Sequence, residues 1–314
     1  MKQNQFEIQH APLWSEIELI LQSKAMQGEA LPSLYRRLCQ SLALALQRGY
    51  SPALTDYLQK MVFDCHKQLY GAVVERPILL RHWLGQEFPR LVRAEWRLLF
   101  LAMMAFFGVA ALVGLLVWFQ PHLAYSFCSA QQLDGFRKMY QPGAFSAGRG
   151  AEGDVVMFGA YIWNNVSIGF RTFAGGIFGG IPALISIVFN GMQFGVVASW
   201  LSRDLATREI FWSFVITHSS FEVTGLILSG VAGMRMGLSL INPGRLSRKH
   251  SLYATSRRMF PVIVGAALLT AFAAFFEAFW SANTAISINL KYAVGSICWL
   301  SVISFFVFAG RSKS

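Results

Sequence analysis

The feature that most constrains this chain is an uncharged apolar run at residues 98–119, LLFLAMMAFFGVAALVGLLVWF. A helix of about 20 apolar residues covers the hydrocarbon core of a bilayer, which is about 30 Å thick. The run is too long, and too far from the amino terminus, to be a secretory signal peptide. Further apolar runs at 156–201, 210–241, 258–282 and 291–310 predict a polytopic membrane protein.

Composition agrees with a membrane protein and argues against nucleic-acid binding. The 314 residues are 54% hydrophobic and 14% charged, whereas soluble domains carry roughly 25% charged residues. The net charge is +11, but the Lys and Arg residues flank the apolar runs, as they do in cytoplasmic loops. We therefore expect no nucleic-acid partner. The cysteines have no metal-like spacing, so neither a metal nor a cofactor is expected; they are Cys39, Cys65, Cys128 and Cys298.

The first 97 residues are more polar than the rest and have apolar residues at helical spacing. Gly49 is placed to end one helix, while Ser51 and Pro52 are placed to cap and open the next. The sequence thus predicts an all-α protein with a cytoplasmic helical domain at 1–97 and a transmembrane helix bundle at 98–314. Helices are predicted in the first domain at 13–23, 31–49 and 51–71.

A fourth helix is predicted to begin near Ile78 and to continue through residues 88–97 into the first span. Arg90, Arg93 and Arg97 repeat on one face of this helix. A basic stripe next to a span is typical of the cytoplasmic face of a membrane. The amino terminus is therefore expected inside the cell.

The charge pattern also predicts on which side of the membrane each later loop lies. The basic and acidic residues of 120–155 balance, which suits an external loop, whereas residues 242–258 and the tail 310–314 are basic without acids. Both termini are then expected on the cytoplasmic side, and the number of crossings is even. The basic residues of 242–258 are Arg245, Arg248, Lys249, Arg257 and Arg258.

The five apolar runs give five crossings if each run crosses once. An even number therefore requires that one run crosses twice or turns back within the membrane. Run 156–201 contains Gly175, Gly176, Gly179, Gly180 and Pro182 near its middle, where a tight turn fits. Two helices in this run give about six crossings. The alternative has four crossings, a re-entrant hairpin at 210–241 and an amphipathic helix lying flat on the membrane at 156–172.

Polar residues within or at the edges of the apolar runs are the candidate functional residues. A charge at the bilayer centre costs about 3 kcal/mol or more, so such groups face the interior of a bundle, form pairs or line water. His218 and Glu222 are four positions apart and share one helix face. The candidates are Asn164, Asn165, Arg171, Asn190, His218, Glu222, Arg235, Glu277 and Ser281.

Three interpretations of these residues stay open. In the first they form structural hydrogen bonds, with Glu222 bonded to His218, Ser219 or Ser220, and Glu277 paired with Arg171 or Arg235. In the second they handle a proton or ion, or bind a polar headgroup. The third is a metal or hydrolase site, and it has little support because the spans hold no second histidine, HExxH motif or nucleophile elbow.

Small residues predict close helix packing. Gly176 and Gly180 form one GxxxG motif, and Gly233 and Gly237 form another. Glycine at this spacing lets helix backbones approach closely. Packing within one bundle and association with a second copy both fit.

Five ordered sequence blocks resemble the stage II sporulation protein M family of bacterial membrane proteins. They are NNVSIGFRTFAGGIFGG (164–180), FNGMQFGVVASWL (189–201), FWSFVITHSSFEVTGLILSGVAGMRMG (211–237), NPGRLSRKHSL (242–252) and FFEAFWSAN (275–283). Upstream segments are similar to the cytoplasmic extension of the longer members. The polar residues that the resemblance marks are Asn164, Asn165, Asn190, His218, Glu222, Arg245, Glu277 and Ser281.

The resemblance implies a membrane role without a settled activity. The sporulation member acts in a membrane complex with peptidoglycan-degrading partners, and the wider family is discussed as complex-forming or transport-like. We therefore expect a non-enzymatic subunit of a membrane complex, in contact with the bilayer and with membrane-protein partners or further copies of itself. The alternative is a permease or channel for a small ion or polar solute that uses His218, Glu222 and Glu277.

Overall fold

The computed structural model describes residues 2–23, 31–70, 82–143 and 151–311. These residues form helices and connecting turns, and no strand occurs among them. The chain divides into two compact units, Met1–Ile78 and Leu79–Ser314. The protein is an all-α polytopic membrane protein, as the apolar runs predict.

The described residues of the first unit form three helices, α1 (Gln3–Ser23), α2 (Leu31–Gln47) and α3 (Pro52–Tyr70). Its core holds the fully buried side chains of Phe6, Ile17, Leu38 and Leu58. Helix α1 begins about three turns earlier than predicted, because Phe6 continues its buried face.

The predicted helix boundary between α2 and α3 is confirmed. Gly49 has a φ of 63°, a left-handed conformation that glycine adopts without strain. The Ser51 hydroxyl accepts a hydrogen bond of 3.4 Å from the amide of Leu54 at the start of α3.

The second unit begins with a helix that packs against the membrane bundle. A π-helical turn at Trp83–Glu87 leads into α4 (Phe88–Ala94) and then α5 (Trp96–Phe119). Glu95 has φ −98° and ψ 29°, so it interrupts the predicted continuous helix. The predicted start near Ile78 lies outside the described residues.

Helix α4 belongs to the membrane unit because its aromatic side chain is buried there. The ring of Phe88 stacks edge-on against Phe306 at 5.4 Å between centroids. The predicted domain boundary after residue 97 therefore differs from the division after Ile78.

In the described ranges 120–143 and 151–311, the membrane unit continues with one short helix and five long ones, besides short helical turns. After turns at Pro121–Leu123 and Ala124–Phe127, the capping box of Ser129 and Gln132 starts α6. The remaining bounds are α6 (Ala130–Met139), α7 (Ala151–Gly175), α8 (Ile181–Ser202), α9 (Leu205–Ile241), α10 (Arg248–Ser281) and α11 (Ile288–Phe308).

In the described part of the chain, five helices are long and apolar enough to cross a membrane, namely α5, α8, α9, α10 and α11. Helix α7 is also long but more polar. The predicted break within run 156–201 is confirmed, because α7 and α8 are joined by a turn with Gly179 and Gly180 at positive φ.

The continuity of helix α9 contradicts the predicted topology that contains a re-entrant hairpin. It is a single helix of 37 residues, about 55 Å long at 1.5 Å per residue. The re-entrant hairpin predicted at 210–241 is therefore wrong. That stretch has no breaking residue: its glycines pack against neighbouring helices and do not form a turn.

Helix α9 is the centre of the bundle and contacts α5, α7, α8, α10 and α11. In its apolar stretch 67% of the residues are buried by protein, against 17–39% in the other spans. A helix that other helices surround on all sides can carry polar residues out of contact with lipid.

Glycines hold the α7–α8 turn tightly against α9. A side chain at Gly176 would collide with the backbone of Gly233, and one at Gly237 would collide with Gly176 and Gly180. The two GxxxG motifs thus pack on each other within one chain, which supports the intramolecular reading of their spacing.

Candidate functional site

The site is built on α9, where His218 and Glu222 lie one turn apart. Their spacing places both on the face that looks into the bundle. His218 is buried, and its Nε2 lies 3.9 Å from Glu222 Oε2. That distance brings the two groups together without a direct hydrogen bond.

Helix α10 supplies Glu277 and Ser281, which are also one turn apart. The last residues of α10, Phe276–Ser281, are π-helical, a local widening that is frequent at functional sites. Ser281 Oγ lies 3.1 Å from His218 Nδ1. The ring nitrogen of His218 and the carboxylate oxygens of Glu222 and Glu277 all lie within 4.8 Å of one another.

Helix α7 completes the polar cluster with two asparagines. Asn165 Nδ2 donates a hydrogen bond of 3.3 Å to Glu277 Oε2, and Asn164 Nδ2 donates one of 2.9 Å to Asn165 Oδ1. Asn165 is buried and Asn164 is exposed toward the cavity described below. Asn165 therefore contacts the Glu277 carboxylate from a third helix.

A cavity of about 400 Å³ adjoins this cluster. Asn164, Asn190 and Glu222 lie near the middle of α7, α8 and α9, so the cavity is halfway along these helices. Helix α8 lines it with Asn190, whose Nδ2 donates a hydrogen bond of 2.8 Å to the Ser186 carbonyl. Its polar lining comprises Asn164, Asn165, Asn190, Gln193, His218, Ser219, Glu222 and Thr270.

No Lys or Arg among the described residues forms an ion pair with Glu222 or Glu277. The predicted pairing of Glu277 with Arg171 or Arg235 is therefore wrong. Arg171 is exposed on α7, and Arg235 binds a different carboxylate. The distance along α9 explains the difference, since Arg235 lies more than three turns from Glu222.

The serines next to His218 do not bond to Glu222. Ser220 Oγ donates to the Thr217 carbonyl at 2.8 Å, and Ser219 faces the cavity. The predicted Ser219 or Ser220 bond to Glu222 is thus not formed. Arg245 is exposed in the loop between α9 and α10, away from the cluster.

A second charged cluster, which the sequence did not reveal, lies where the start of α5, the second half of α9 and the first half of α10 meet. Glu95 is only 7% exposed, and its Oε1 lies 3.3 Å from Arg235 Nε and 3.0 Å from Arg258 Nη2. Glu95 lies within the basic stripe of Arg90, Arg93 and Arg97. A negatively charged residue among these arginines is the sequence feature that could have indicated the ion pairs.

Two further polar residues were also missed. Gln193 lies one turn after Asn190 on the cavity face of α8. Lys291 at the start of α11 is buried, and its Nζ donates a hydrogen bond of 2.8 Å to the Ser281 carbonyl. Lysine at the edge of an apolar run is typical of a flanking charge, so its burial depends on the tertiary structure.

Two family models and one relative match the chain. The model described as Stage II sporulation protein M matches residues 98–282. The model described as Domain of unknown function (DUF8413) matches residues 4–71. An uncharacterised protein of Methanocaldococcus jannaschii is 28% identical over 79 residues, which are 25% of this chain and 44% of that protein. No solved structure matches the chain.

Proposed function

We propose that this chain, which belongs to the stage II sporulation protein M family, binds a cation or small polar solute inside its bundle and moves it across the membrane. The observation that carries this proposal is the convergence of His218, Glu222 and Glu277 beside an interior cavity, without a basic ion-pair partner among the described residues. Transporters place substrate and ion sites near the bilayer midplane, where helices meet.

The energetic cost of the site supports a functional role. Two carboxylates within 4.8 Å of each other repel when both are ionised. A purely structural bundle gains nothing from this repulsion, since apolar residues of similar volume pack as well or better. Binding a cation or proton relieves the repulsion, and its release restores it.

The proposal does not include catalysis. Ser281 contacts His218, but its side chain is 2% exposed and does not line the large cavity. The imidazole is 3.9 Å from Glu222, outside hydrogen-bond distance, so the pair does not orient the ring as an acid does in a Ser-His-acid triad. The proposed location is the bacterial cytoplasmic membrane, with both termini inside.

The test is a current measurement on the full chain reconstituted into vesicles on a solid-supported membrane. Concentration jumps of protons, Na⁺ and Mn²⁺ are expected to give a protein-dependent current for at least one of these cations. Glu222→Gln and Glu277→Gln keep the shape but remove the charges, so each should reduce that current at least tenfold. Glu209→Gln is the matched control, because Glu209 is exposed at the start of α9. Currents that are equal in all three variants would contradict the proposal.

A second candidate function, a non-enzymatic subunit of a membrane complex, is favoured by the first unit of the chain. This unit has its own core and exposes several large apolar side chains, including Ile8 (76% exposed) and Phe63 (66% exposed). Exposed apolar side chains are suited to contact with another protein.

Purification under mild detergent followed by mass spectrometry tests this candidate. A true partner should co-purify with the wild-type chain, be lost with Phe63→Ser and remain with Glu222→Gln. A protein that is retained equally by both variants would not be a partner of this surface.

A further inference from the structure

The three converging side chains are of types that bind metal ions. We propose that His218, Glu222 and Glu277 form a binding site for a divalent transition-metal cation. The inference rests on the proposed transport function and deepens it by naming the class of cation. Each residue offers one ligand atom, a ring nitrogen or a carboxylate oxygen, and these atoms lie within 4.8 Å of one another.

An independent observation is the orientation of the buried histidine. His218 is 5% exposed, and its Nδ1 is held by Ser281 Oγ at 3.1 Å. The ring also forms a hydrogen bond with the backbone of Phe214, and its other nitrogen, Nε2, lies 3.9 Å from Glu222 Oε2. A hydrogen bond at one ring nitrogen that leaves the other to face a ligand is the arrangement of metal-binding histidines.

Two further contacts hold the ligands from outside, as in known metal sites. Asn165 donates a hydrogen bond to Glu277 Oε2, and Ser281 holds the imidazole. Such outer contacts fix the direction of the ligand atoms. The adjoining cavity has room for water or a second ligand on the open side.

Electrostatics favours a divalent ion over a single positive charge. Two ionised carboxylates next to each other carry two negative charges, and no Lys or Arg among the described residues pairs with them. A divalent cation neutralises both, which removes the cost of keeping like charges inside a bundle.

The ligand types narrow the choice of metal. Imidazole suits Zn²⁺ and Fe²⁺, and carboxylates also suit Mn²⁺, whereas Mg²⁺ and Ca²⁺ prefer oxygen ligands throughout. No cysteine is in the cluster, which disfavours Cu⁺. Ligand atoms about 2.1 Å from one tetrahedral ion are about 3.4 Å apart. The ligand atoms now lie within 4.8 Å of one another, so we expect binding to draw the side chains of α9 and α10 closer together.

Equilibrium dialysis tests the site directly. The full chain is purified in detergent with a tag that contains no histidine, treated with a chelator and dialysed against Zn²⁺ or Mn²⁺ alone, and bound metal is measured by mass spectrometry. The wild-type chain is expected to bind one equivalent more than His218→Gln, Glu222→Gln or Glu277→Gln. Ser281→Ala should weaken binding about tenfold, the effect typical of losing an outer contact.

Matched controls separate this site from other metal-binding side chains. His122→Gln and Glu209→Gln change exposed residues of the same types and should bind as the wild type does. Gel filtration checks that each variant is folded. If Glu222→Gln does not fold, Glu222→Asp is measured in its place. This variant keeps the charge but has a shorter side chain, so it is expected to bind the metal more weakly than the wild type does.

The outcomes distinguish this inference from the transport proposal. Equal Zn²⁺ and Mn²⁺ binding by the wild type and the site variants would overturn the metal site, as would Mg²⁺ or Ca²⁺ binding as tightly. A proton or Na⁺ current that depends on Glu222 without metal binding would leave transport standing and remove the metal. Metal binding without any current would keep the site and remove transport.

Discussion

At the scale of single residues, the cost of a buried charge explains which side chains come together. Glu222 and Glu277 were singled out because a lone carboxylate is expensive inside an apolar bundle. The structure brings them within 4.8 Å of each other and of His218. The same cost applies to Glu95, which is 7% exposed and lies against Arg235 and Arg258.

The Glu95 cluster predicts a loss of stability in Glu95→Gln. The amide cannot neutralise Arg235 and Arg258, but both arginines are partly exposed and water replaces some of the interaction. We expect the free energy of unfolding to fall by about 1–3 kcal/mol, measured by denaturation in detergent. Glu209→Gln should change it by less than about 0.5 kcal/mol. An unchanged or higher stability of Glu95→Gln would show that this cluster does not hold α5 to α9 and α10.

Cys65 in the first unit gives a prediction about pH. Burial raises the pKa of its thiol to about 11, and only the thiolate reacts with maleimides. At pH 8 the native thiol should therefore resist alkylation, and the rate should rise as the pH approaches the pKa. Mass spectrometry of the modified peptide, with urea-unfolded protein as the control, checks this. Equal rates in native and unfolded protein would contradict the burial.

At the scale of elements, close backbone contacts decide how the helices pack. The α7–α8 turn lies against the second half of α9 through Gly176, Gly233 and Gly237. In a membrane, association relies on van der Waals contact because lipid removes the hydrophobic driving force between helices. Small residues are therefore the main sequence signal for such a contact.

Gly233→Val tests this contact. A Cβ at Gly233 would lie 2.8 Å from the carbonyl oxygen of Phe173, so α7 and α9 must separate. Overpacking of this kind costs about 1–3 kcal/mol, and we expect a lower melting temperature and more aggregate by gel filtration. Gly159→Val on α7 is the control, because a Cβ there meets no atom within 4 Å. Equal melting of the two variants would mean that the turn is not tightly packed.

At the scale of the whole molecule, the crossing number depends on α7. Among the residues that the structure describes, five helices meet the length and apolarity of a span, and α7 is a further long helix that lines the cavity with polar residues. Together with the basic loop after α9, an even number of crossings requires α7 to span as well. That α7 crosses the membrane therefore stays a prediction from the charge pattern.

Reporter fusions test the predicted topology. A reporter placed after Asp204 should be external, while reporters after Gly244 and after Arg311 should be internal. Fusions with compartment-specific activity, such as a phosphatase and a fluorescent protein, measure each position in the full chain. An external carboxyl terminus would leave an odd number of crossings and would place α7 on the membrane surface.

The sequence by itself determined the membrane class, the helical fold, the break between α7 and α8, and the identity of the costly polar residues. These follow from local quantities, namely apolar length, helical spacing and turn chemistry. The family match over residues 98–282 also rests on sequence alone.

Only the tertiary structure decided which polar groups meet. Residues Asn165, His218 and Glu277 come from three helices, and no local pattern specifies which faces of different helices are opposed. For the same reason Arg235 was assigned to the wrong carboxylate, and the burial of Lys291 and Glu95 was not predicted. The free-energy cost of a charged side chain depends on how deeply it is buried, and its burial is determined only when the helices pack together.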